Sequence, residues 1–386
     1  MADLQDELTA TTGVGDLDSR PTAPDESRLP EPEPGPGPSP APEAAPAPEA
    51  APAPEAAPAP EAAPASAHDL LRRHPVADGC CGLPGTLLTL PWYDLEVGEH
   101  AVETDLPRLR EGGTGALMWA LETTPDRPIT SALEQIDLVN NVVARFPEGL
   151  RLARSASETA DARAHGRIAV LIGPAPASAA GESLGTLRAL HHLGLRVLTL
   201  GGAPWAPQDG LTRFGEEMVR EMNRLGMLVD LTGATPATSA RVLAVSKAPA
   251  ILTRSGAHAL NSHPDNASDD LLATLGANRG VCLVPCSAAR TGPALRDVAD
   301  HLDHVRRVAG PEAVGLSGMY DTGEPHPEGL ADPSGYPALI SELLGRGWSE
   351  AEVALLTWGN VQRVLRGVEF TARETRRRRG PSTATC

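Results

Sequence analysis

The chain has 386 residues, which is enough for one large domain or two of ordinary size. Hydrophobic residues make up 41 % of it, so a substantial core can form, although aromatic residues contribute 3 %. The formal net charge of −17 argues against nucleic acid as a partner, because binding to phosphates requires clustered cations.

The N-terminal 66 residues have a low-complexity composition. The hexapeptide PAPEAA occurs four times between Pro40 and Ala63, and 13 acidic residues stand against Arg20 and Arg28. Frequent proline prevents regular helix or sheet, so a disordered tail is predicted over residues 1–66. A spacer is the favoured role for this tail, and a docking arm for a proline-binding domain is the alternative.

From residue 67 onward, short apolar runs alternate with segments of helical periodicity. Eight runs have the continuous apolar character of strands buried on both faces, namely 75–79, 115–120, 168–173, 197–200, 227–231, 250–253, 281–284 and 314–317. Helices are predicted at 131–145, 182–193, 214–225, 236–246, 269–277, 295–309, 336–344 and 349–368. This order predicts an α/β fold, a closed (β/α)₈ barrel of the TIM type over residues 67–370. An open doubly wound sheet is the alternative.

The last residues of the chain are polar and basic. We interpret the run Arg376–Arg379 as part of a solvated, disordered tail over residues 371–386, with nuclear import or contact with an acidic partner as the alternative. The acidic N-terminus lacks the apolar region of a secretory signal, and no stretch reaches the length of a membrane span. The polar C-terminus lacks the hydrophobic tail of a GPI signal. These features predict a cytoplasmic or nuclear location.

In a barrel of this class, functional side chains lie at the C-terminal ends of the strands. A hydrolytic metal site there needs at least three His, Asp, Glu or Cys ligands, and the predicted strand ends provide almost none. His301 and His304 lie three residues apart on one predicted helix, and we interpret them as part of a solvated helix face.

Several ordered motifs resemble those of one enzyme family. They are TDLPRLREGG at 104–113, ALEQIDL at 132–138, EMNRLGMLVDL at 221–231, VADHLDH at 298–304, PEGL at 327–330 and WSE at 348–350. Over about residues 67–369 the chain resembles the membrane (renal) dipeptidases, which are zinc peptidases with a metal-dependent hydrolase barrel. The resemblance implies that fold and, in active members, hydrolysis of dipeptides.

The resemblance also implies where the family holds zinc. Its five ligand positions fall on Cys80, Gly82, Ala175, Gly233 and Arg254, in place of His, Asp, Glu, His and His. Glycine and alanine offer no donor atom, and an arginine cation repels a metal ion. We therefore predict that zinc is lost and that no cofactor is bound.

The substrate-side positions of the family depart in the same way. A histidine of the family falls on Gly202, and an aspartate falls on Met319, while Asp321 is retained. The arginine that holds the substrate carboxylate falls near Pro264 or Asp265. No functional catalytic residue is therefore expected.

These departures predict a catalytically inactive pseudoenzyme that acts as a binding or scaffold protein for an unidentified protein partner. One alternative is residual or altered dipeptide hydrolysis. Another is a metal-free enzyme with Cys80 or Cys81 as nucleophile, assisted by Arg254 or Asp321.

A third alternative is a pocket that holds a peptide or an anion without catalysis. Arg254 and the turn of Gly201 and Gly202 would line such a pocket. The resemblance further implies a homodimer, which we expect to be non-covalent because no interface cysteine of the family is identifiable.

Overall fold

The structure is a computed structural model that describes Gly35, Gly37, residues 66–98 and residues 101–386. The tail predicted over residues 1–66 therefore lies outside the described residues, apart from Gly35, Gly37 and Ser66. Ser66 caps the first helix, because its side chain accepts a hydrogen bond from the backbone N–H of Asp69.

The described residues contain one parallel sheet of ten strands. In chain order these are β1 Val76–Cys81, β2 Thr114–Trp119, β3 Leu150–Leu152, β4 Ile168–Ile172, β5 Ala175–Pro176, β6 Val197–Thr199, β7 Leu228–Asp230, β8 Ala250–Leu252, β9 Val281–Pro285 and β10 Val314–Ser317. Their order in the sheet is β3-β4-β2-β1-β10-β9-β8-β7-β6-β5. The eight predicted strands are all present, and β3 and β5 are two short additions.

The sheet curls until β4 meets β6. Ile172 and Leu195 form a parallel bridge, and the N–H of Arg196 donates to the carbonyl oxygen of Ile172 at 2.9 Å. With the other pairings this contact closes a ring of eight strands, made of β1, β2, β4 and β6 to β10. The predicted (β/α)₈ barrel is confirmed, and the open sheet is wrong.

Helices follow the strands on the outside of the ring. They are α1 Ala67–Arg73, α2 Leu83–Thr89, α3 Leu106–Glu111, α4 Pro128–Arg145, α5 Ala156–Ala164, α6 Leu184–Leu193, α7 Arg213–Leu225, α8 Pro236–Val245, α9 Asp269–Ala277, α10 Leu295–Ala309, α11 Tyr336–Gly345, α12 Glu350–Ala354 and α13 Asn360–Arg378. A π-helical turn, Leu355–Gly359, joins α12 to α13.

The helix ends show why these segments stop where they do. Helix α7 begins after Thr212, whose side chain accepts from the N–H of Gly215, and ends at Gly226 with a left-handed φ of 87°. Ser349 and Glu352 form the capping box at the start of α12. Helix α9 is capped by Ser268.

Helix α13 continues beyond the predicted boundary at residue 370, so the disorder predicted for residues 371–378 is wrong. Ala372 is buried, and the Arg376 guanidinium donates to the carbonyl oxygens of Arg224 and Leu225 at 2.8 and 2.7 Å. These bonds use carbonyls that the end of α7 leaves free, which fixes the last turns of α13. Beyond α13, Ser382 donates to Glu217 at 2.8 Å. Within the described part of the chain, no helix is long and apolar enough to cross a membrane.

Candidate functional site at the barrel mouth

Two buried aspartates organise the C-terminal ends of the strands. The Asp230 carboxylate accepts hydrogen bonds from the hydroxyls of Thr199, Thr232 and Thr253 at 2.6 to 2.7 Å. It also accepts from the backbone N–H groups of Thr232 and Thr253, both at 3.0 Å. Because its acceptor positions are filled by the ends of β6, β7 and β8, this carboxylate holds three strands in register and is closed to a ligand.

Asp78 plays the same part on the other side of the barrel. Its carboxylate accepts from the N–H groups of Cys80 and Gly318 at 3.1 and 2.7 Å, and from the Tyr336 hydroxyl at 2.7 Å. Burial raises the pKa of Asp78 from 3.8 to about 6, although the three donors oppose that shift. Asp78 therefore joins β1 to β10 and α11.

A cleft of about 390 Å³ opens at the barrel mouth. Its lining residues come from the C-terminal ends of several strands and from the loops that follow them, and they are Cys80, Ala120, Leu121, Glu122, Thr123, Pro174, Pro176, Thr199, Arg254, Arg290, Met319, Thr322 and Glu324. Cys80, Ala120 and Met319 form a small buried apolar cluster at this place. Cys80, Arg254 and Met319 are thus brought together as the barrel topology predicts.

Arg254 follows β8 and is half-buried in the cleft wall. Its Nη1 donates a long hydrogen bond of 3.4 Å to the Thr253 hydroxyl, and its guanidinium forms no ion pair with any described residue. Its charge also acts on Cys80. Burial raises the pKa of the Cys80 thiol to about 11, while the positive charge of the nearby Arg254 guanidinium lowers it by a smaller amount.

A second arginine in the cleft is neutralised. Arg290 Nη2 lies 2.7 Å from Glu324 Oε1, and Arg290 Nη1 lies 2.7 Å from Asp265 Oδ2. Ser287 donates a further hydrogen bond to Glu324. The resemblance places the substrate-carboxylate arginine near Pro264 or Asp265, and the structure instead has a carboxylate there whose arginine partner comes from the loop after β9.

The retained Asp321 lies outside the lining of the cleft. It has a left-handed φ of 58°, and its Oδ1 accepts from the N–H of Glu103 at 2.8 Å. The N–H of Asp321 donates to Glu103 Oε2 at 2.6 Å, and that oxygen also lies 3.0 Å from His326 Nε2. Burial raises the pKa of Asp321 to about 6. Asp321 therefore fixes the loop at residues 103–104 against the loop after β10.

Cys81, the other thiol considered as a nucleophile, does not line the cleft. Both Cys80 and Cys81 lie within β1, because that strand extends two residues beyond its predicted end. The Cys81 thiol lies 3.5 Å from the Thr104 hydroxyl, and burial raises its pKa well above the ordinary value. Neither thiol is in an environment that favours the thiolate.

Of the five positions that the resemblance assigns to zinc, Cys80 alone carries a side chain that can ligate a metal ion. A Cβ atom at Gly82 would lie 2.3 Å from the Asp321 carbonyl oxygen, so the space for a ligand side chain is filled by backbone. Ala175 is a buried methyl group in β5, and Gly233 has a left-handed φ of 70°. That leaves the Cys80 thiol as the one donor, facing the Arg254 cation. Among the residues that the structure describes, no group of three or more His, Cys, Asp or Glu could hold a metal ion.

The remaining predicted positions also lie apart from the cleft lining. Gly202 is exposed in the turn after β6, with φ of 76°, and a Cβ atom added there would have no atom within 4 Å. The interpretation of His301 and His304 as a solvated face is wrong, because both are buried. His301 Nδ1 accepts from the N–H of Ala257 at 2.8 Å, and His304 Nε2 lies 2.7 Å from Asp269.

Solved structures with the same architecture define the class of protein. A metallo peptidase from Rhodobacter sphaeroides, liganded with a phosphinate mimic of the dipeptide L-Ala-D-Ala, is 25 % identical with a TM-score of 0.69. The match covers 76 % of this chain and 99 % of that one. The dipeptidase AC, another metallo peptidase, is 26 % identical with a TM-score of 0.70, over 76 % of this chain and 98 % of its own. The fold is thus that of TIM-barrel metallopeptidases.

The particular family follows from the sequence. The profile of "Membrane dipeptidase (Peptidase family M19)" matches residues 64–379, and this chain belongs to that family. Dipeptidase 3 from Homo sapiens is 38 % identical over 338 residues, which cover 80 % of this chain and 68 % of the relative. Dipeptidase verJ from Clonostachys rogersoniana is 36 % identical over 296 residues, which cover 69 % of this chain and 76 % of the relative.

Proposed function

We propose that this chain is a membrane dipeptidase family member that binds a ligand or a protein partner at its barrel mouth and does not hydrolyse dipeptides with zinc. The single observation that carries the proposal is the state of the five ligand positions. One thiol donor, two glycines and an alanine replace the ligand set, and Arg254 adds a positive charge in the cleft.

The charge of Arg254 opposes a dication for a simple electrostatic reason. Two unit charges 4 Å apart interact by about 4 kcal/mol at an effective dielectric constant of 20, and a divalent ion doubles that repulsion. A single thiol cannot offset it, since a structural or catalytic zinc needs at least three protein ligands.

A metal-free enzyme built on Cys80 receives less support. Burial raises the pKa of this thiol to about 11, so the nucleophilic thiolate is a small fraction near neutral pH. None of the described residues that line the cleft is a histidine that could accept the thiol proton.

The test is an activity assay on the full chain, purified from zinc-supplemented medium. A dipeptide panel that includes L-Ala-D-Ala is incubated with the wild type and with Cys80→Ala, each with and without a chelator. We expect no hydrolysis above the buffer control. Chelator-sensitive hydrolysis would show a zinc dipeptidase, and chelator-resistant hydrolysis that Cys80→Ala abolishes would show a thiol enzyme; either result contradicts the proposal.

We also propose a non-covalent homodimer located in the cytoplasm or nucleus. The family resemblance supports the dimer. Light scattering on the purified chain in reducing buffer tests the dimer, which a monomer mass across the concentration range would contradict.

A further inference from the structure

Among the described residues, the barrel mouth holds one cation whose charge is not compensated. The cleft has two arginines, and Arg290 is paired with both Glu324 and Asp265. Arg254 forms no ion pair with a described residue, although it is half-buried and lines the same cleft. The other carboxylate in the lining, Glu122, is exposed. A half-buried guanidinium without a counter-ion is a recognition group for an anion, because it presents several donors in a fixed plane.

The other walls of the cleft determine which anions fit. Ala120, Leu121, Pro174, Pro176 and Met319 supply an apolar surface beside Arg254. The hydroxyl groups in the lining are already engaged: Thr199 donates to Asp230, Thr123 bonds to Ser178, and Thr322 donates to the Met319 carbonyl oxygen. Among the described lining residues, Arg254 therefore supplies the one cationic donor group that is not engaged in an ion pair, and the neighbouring surface of Ala120, Pro174 and Met319 favours an apolar group.

We propose that Arg254 binds the carboxylate of a small molecule whose compact apolar group packs against Ala120, Pro174 and Met319. The volume of about 390 Å³ falls within the range of small-molecule sites. This inference rests on the proposed function, since a zinc ion at this place would exclude the Arg254 guanidinium from it.

The Cys80 thiol gives an internal reporter of occupancy, because it lines the same cleft as Arg254, whose charge lowers the pKa of the thiol. A bound carboxylate neutralises the charge that lowers the pKa of Cys80, and it also covers the sulfur. Occupancy should therefore slow the alkylation of Cys80, which tandem mass spectrometry locates from the fragment ions that separate Cys80 from the adjacent Cys81.

The test uses benzoate and hexanoate as probes, with benzamide and hexanol as uncharged analogues, in calorimetric titrations of the full chain. Arg254→Met removes the cation with little change of length, and Arg254→Lys keeps the charge without the guanidinium plane. Arg366→Met is the matched control, because Arg366 is exposed and lines a different groove. We expect Arg254→Met to weaken carboxylate binding about tenfold or more, Arg254→Lys to recover part of it, and Arg366→Met to leave it unchanged.

Three results overturn the inference: no saturable binding of either carboxylate, equal binding of the uncharged analogues, or equal binding by Arg254→Met. If Arg254→Met fails to fold, protection of Cys80 in the wild type decides, and an alkylation rate that neither carboxylate lowers contradicts the site. The dipeptide assay on the same preparation separates the two proposals. Zinc-dependent hydrolysis refutes the proposed function. A protein that hydrolyses no dipeptide and binds neither benzoate nor hexanoate refutes the carboxylate site alone.

Discussion

Gly82, which the resemblance assigns to a zinc ligand position, offers the sharpest test of whether the structure has room for a side chain there. A Cβ atom at residue 82 would lie 2.3 Å from the carbonyl oxygen of Asp321 and 2.8 Å from its carbonyl carbon. Two hydrogen bonds hold this contact in place. The N–H of Gly82 donates to the Tyr320 carbonyl oxygen at 2.8 Å, and the Thr86 hydroxyl donates to the Asp321 carbonyl oxygen at 3.1 Å. A side chain at residue 82 must therefore displace backbone, which a change of rotamer cannot avoid.

Overpacking of a well-packed site costs about 1–3 kcal/mol, and loss of a hydrogen bond adds about 1 kcal/mol. We therefore expect Gly82→Asp, which introduces the residue that the resemblance implies for this position, to lower the free energy of unfolding by about 2–4 kcal/mol. Urea denaturation followed by circular dichroism measures the change. Gly345→Ala in α11 is the control, because no atom lies within 4 Å of the added carbon. That control should change stability by less than about 1 kcal/mol, in the stabilising direction. If the free energy of unfolding of Gly82→Asp equals that of the wild type, the reasoning is refuted.

Three further predictions concern the buried polar groups of the barrel mouth. Asp230→Asn should lower the free energy of unfolding by about 2–3 kcal/mol, because an amide nitrogen then faces hydrogen-bond donors. The control Asp209→Asn, at an exposed position, should change it by less than about 0.5 kcal/mol. Equal urea midpoints for the two variants would contradict this prediction. Iodoacetamide at pH 7 should label Cys80 more slowly than a free thiol, and Arg254→Met should slow it further, since loss of the guanidinium raises the pKa of Cys80; unchanged labelling in the variant would refute the coupling. The pKa of Asp78 rises on folding from 3.8 to about 6, so the native state binds the proton more tightly and Asp78 stabilises the fold below pH 4. The unfolding free energy of the wild type minus that of Asp78→Asn should therefore fall by up to about 3 kcal/mol between pH 4 and pH 6, and a pH-independent difference would contradict it.

The sequence predicted the barrel well because its strands carry a strong local signal. Each of the eight barrel strands is a short, largely apolar run, and the intervening helices carry clear end signals such as Gly226 and the Ser349 capping box. The two strands that escaped prediction are three and two residues long, and Leu150–Leu152 contains the charged Arg151. Such short segments become strands through pairing with a neighbour, and no local periodicity marks them.

The prediction that a disordered tail begins at residue 371 was wrong for a related reason. The arginine-rich composition of residues 371–378 is typical of a solvated tail, yet Arg376 finds the free carbonyl groups at the end of α7. That contact joins residues about 150 positions apart in the chain, and composition carries no information about it.

The sequence allowed prediction of which strand-end residues meet at the candidate site, but not of which side chains pair with each other there. Cys80, Arg254 and Met319 follow from the rule that parallel strands end at the same rim. The neutralisation of Arg290 by Glu324 and Asp265 joins three separate loops, so sequence spacing could not show which arginine keeps its charge available. The burial of His301 and His304 was likewise invisible, because it depends on the segment at Ala257 and on the start of α9.

The most direct measurement of the central claim is the zinc content of the full chain after purification from zinc-supplemented medium and dialysis without chelator. Elemental analysis of the protein is compared with that of the final dialysate. We predict no zinc above the dialysate level, because one thiol beside the Arg254 cation cannot retain the ion. Zinc retained at one or two equivalents per chain, and removed by a chelator together with dipeptide hydrolysis, would contradict the account.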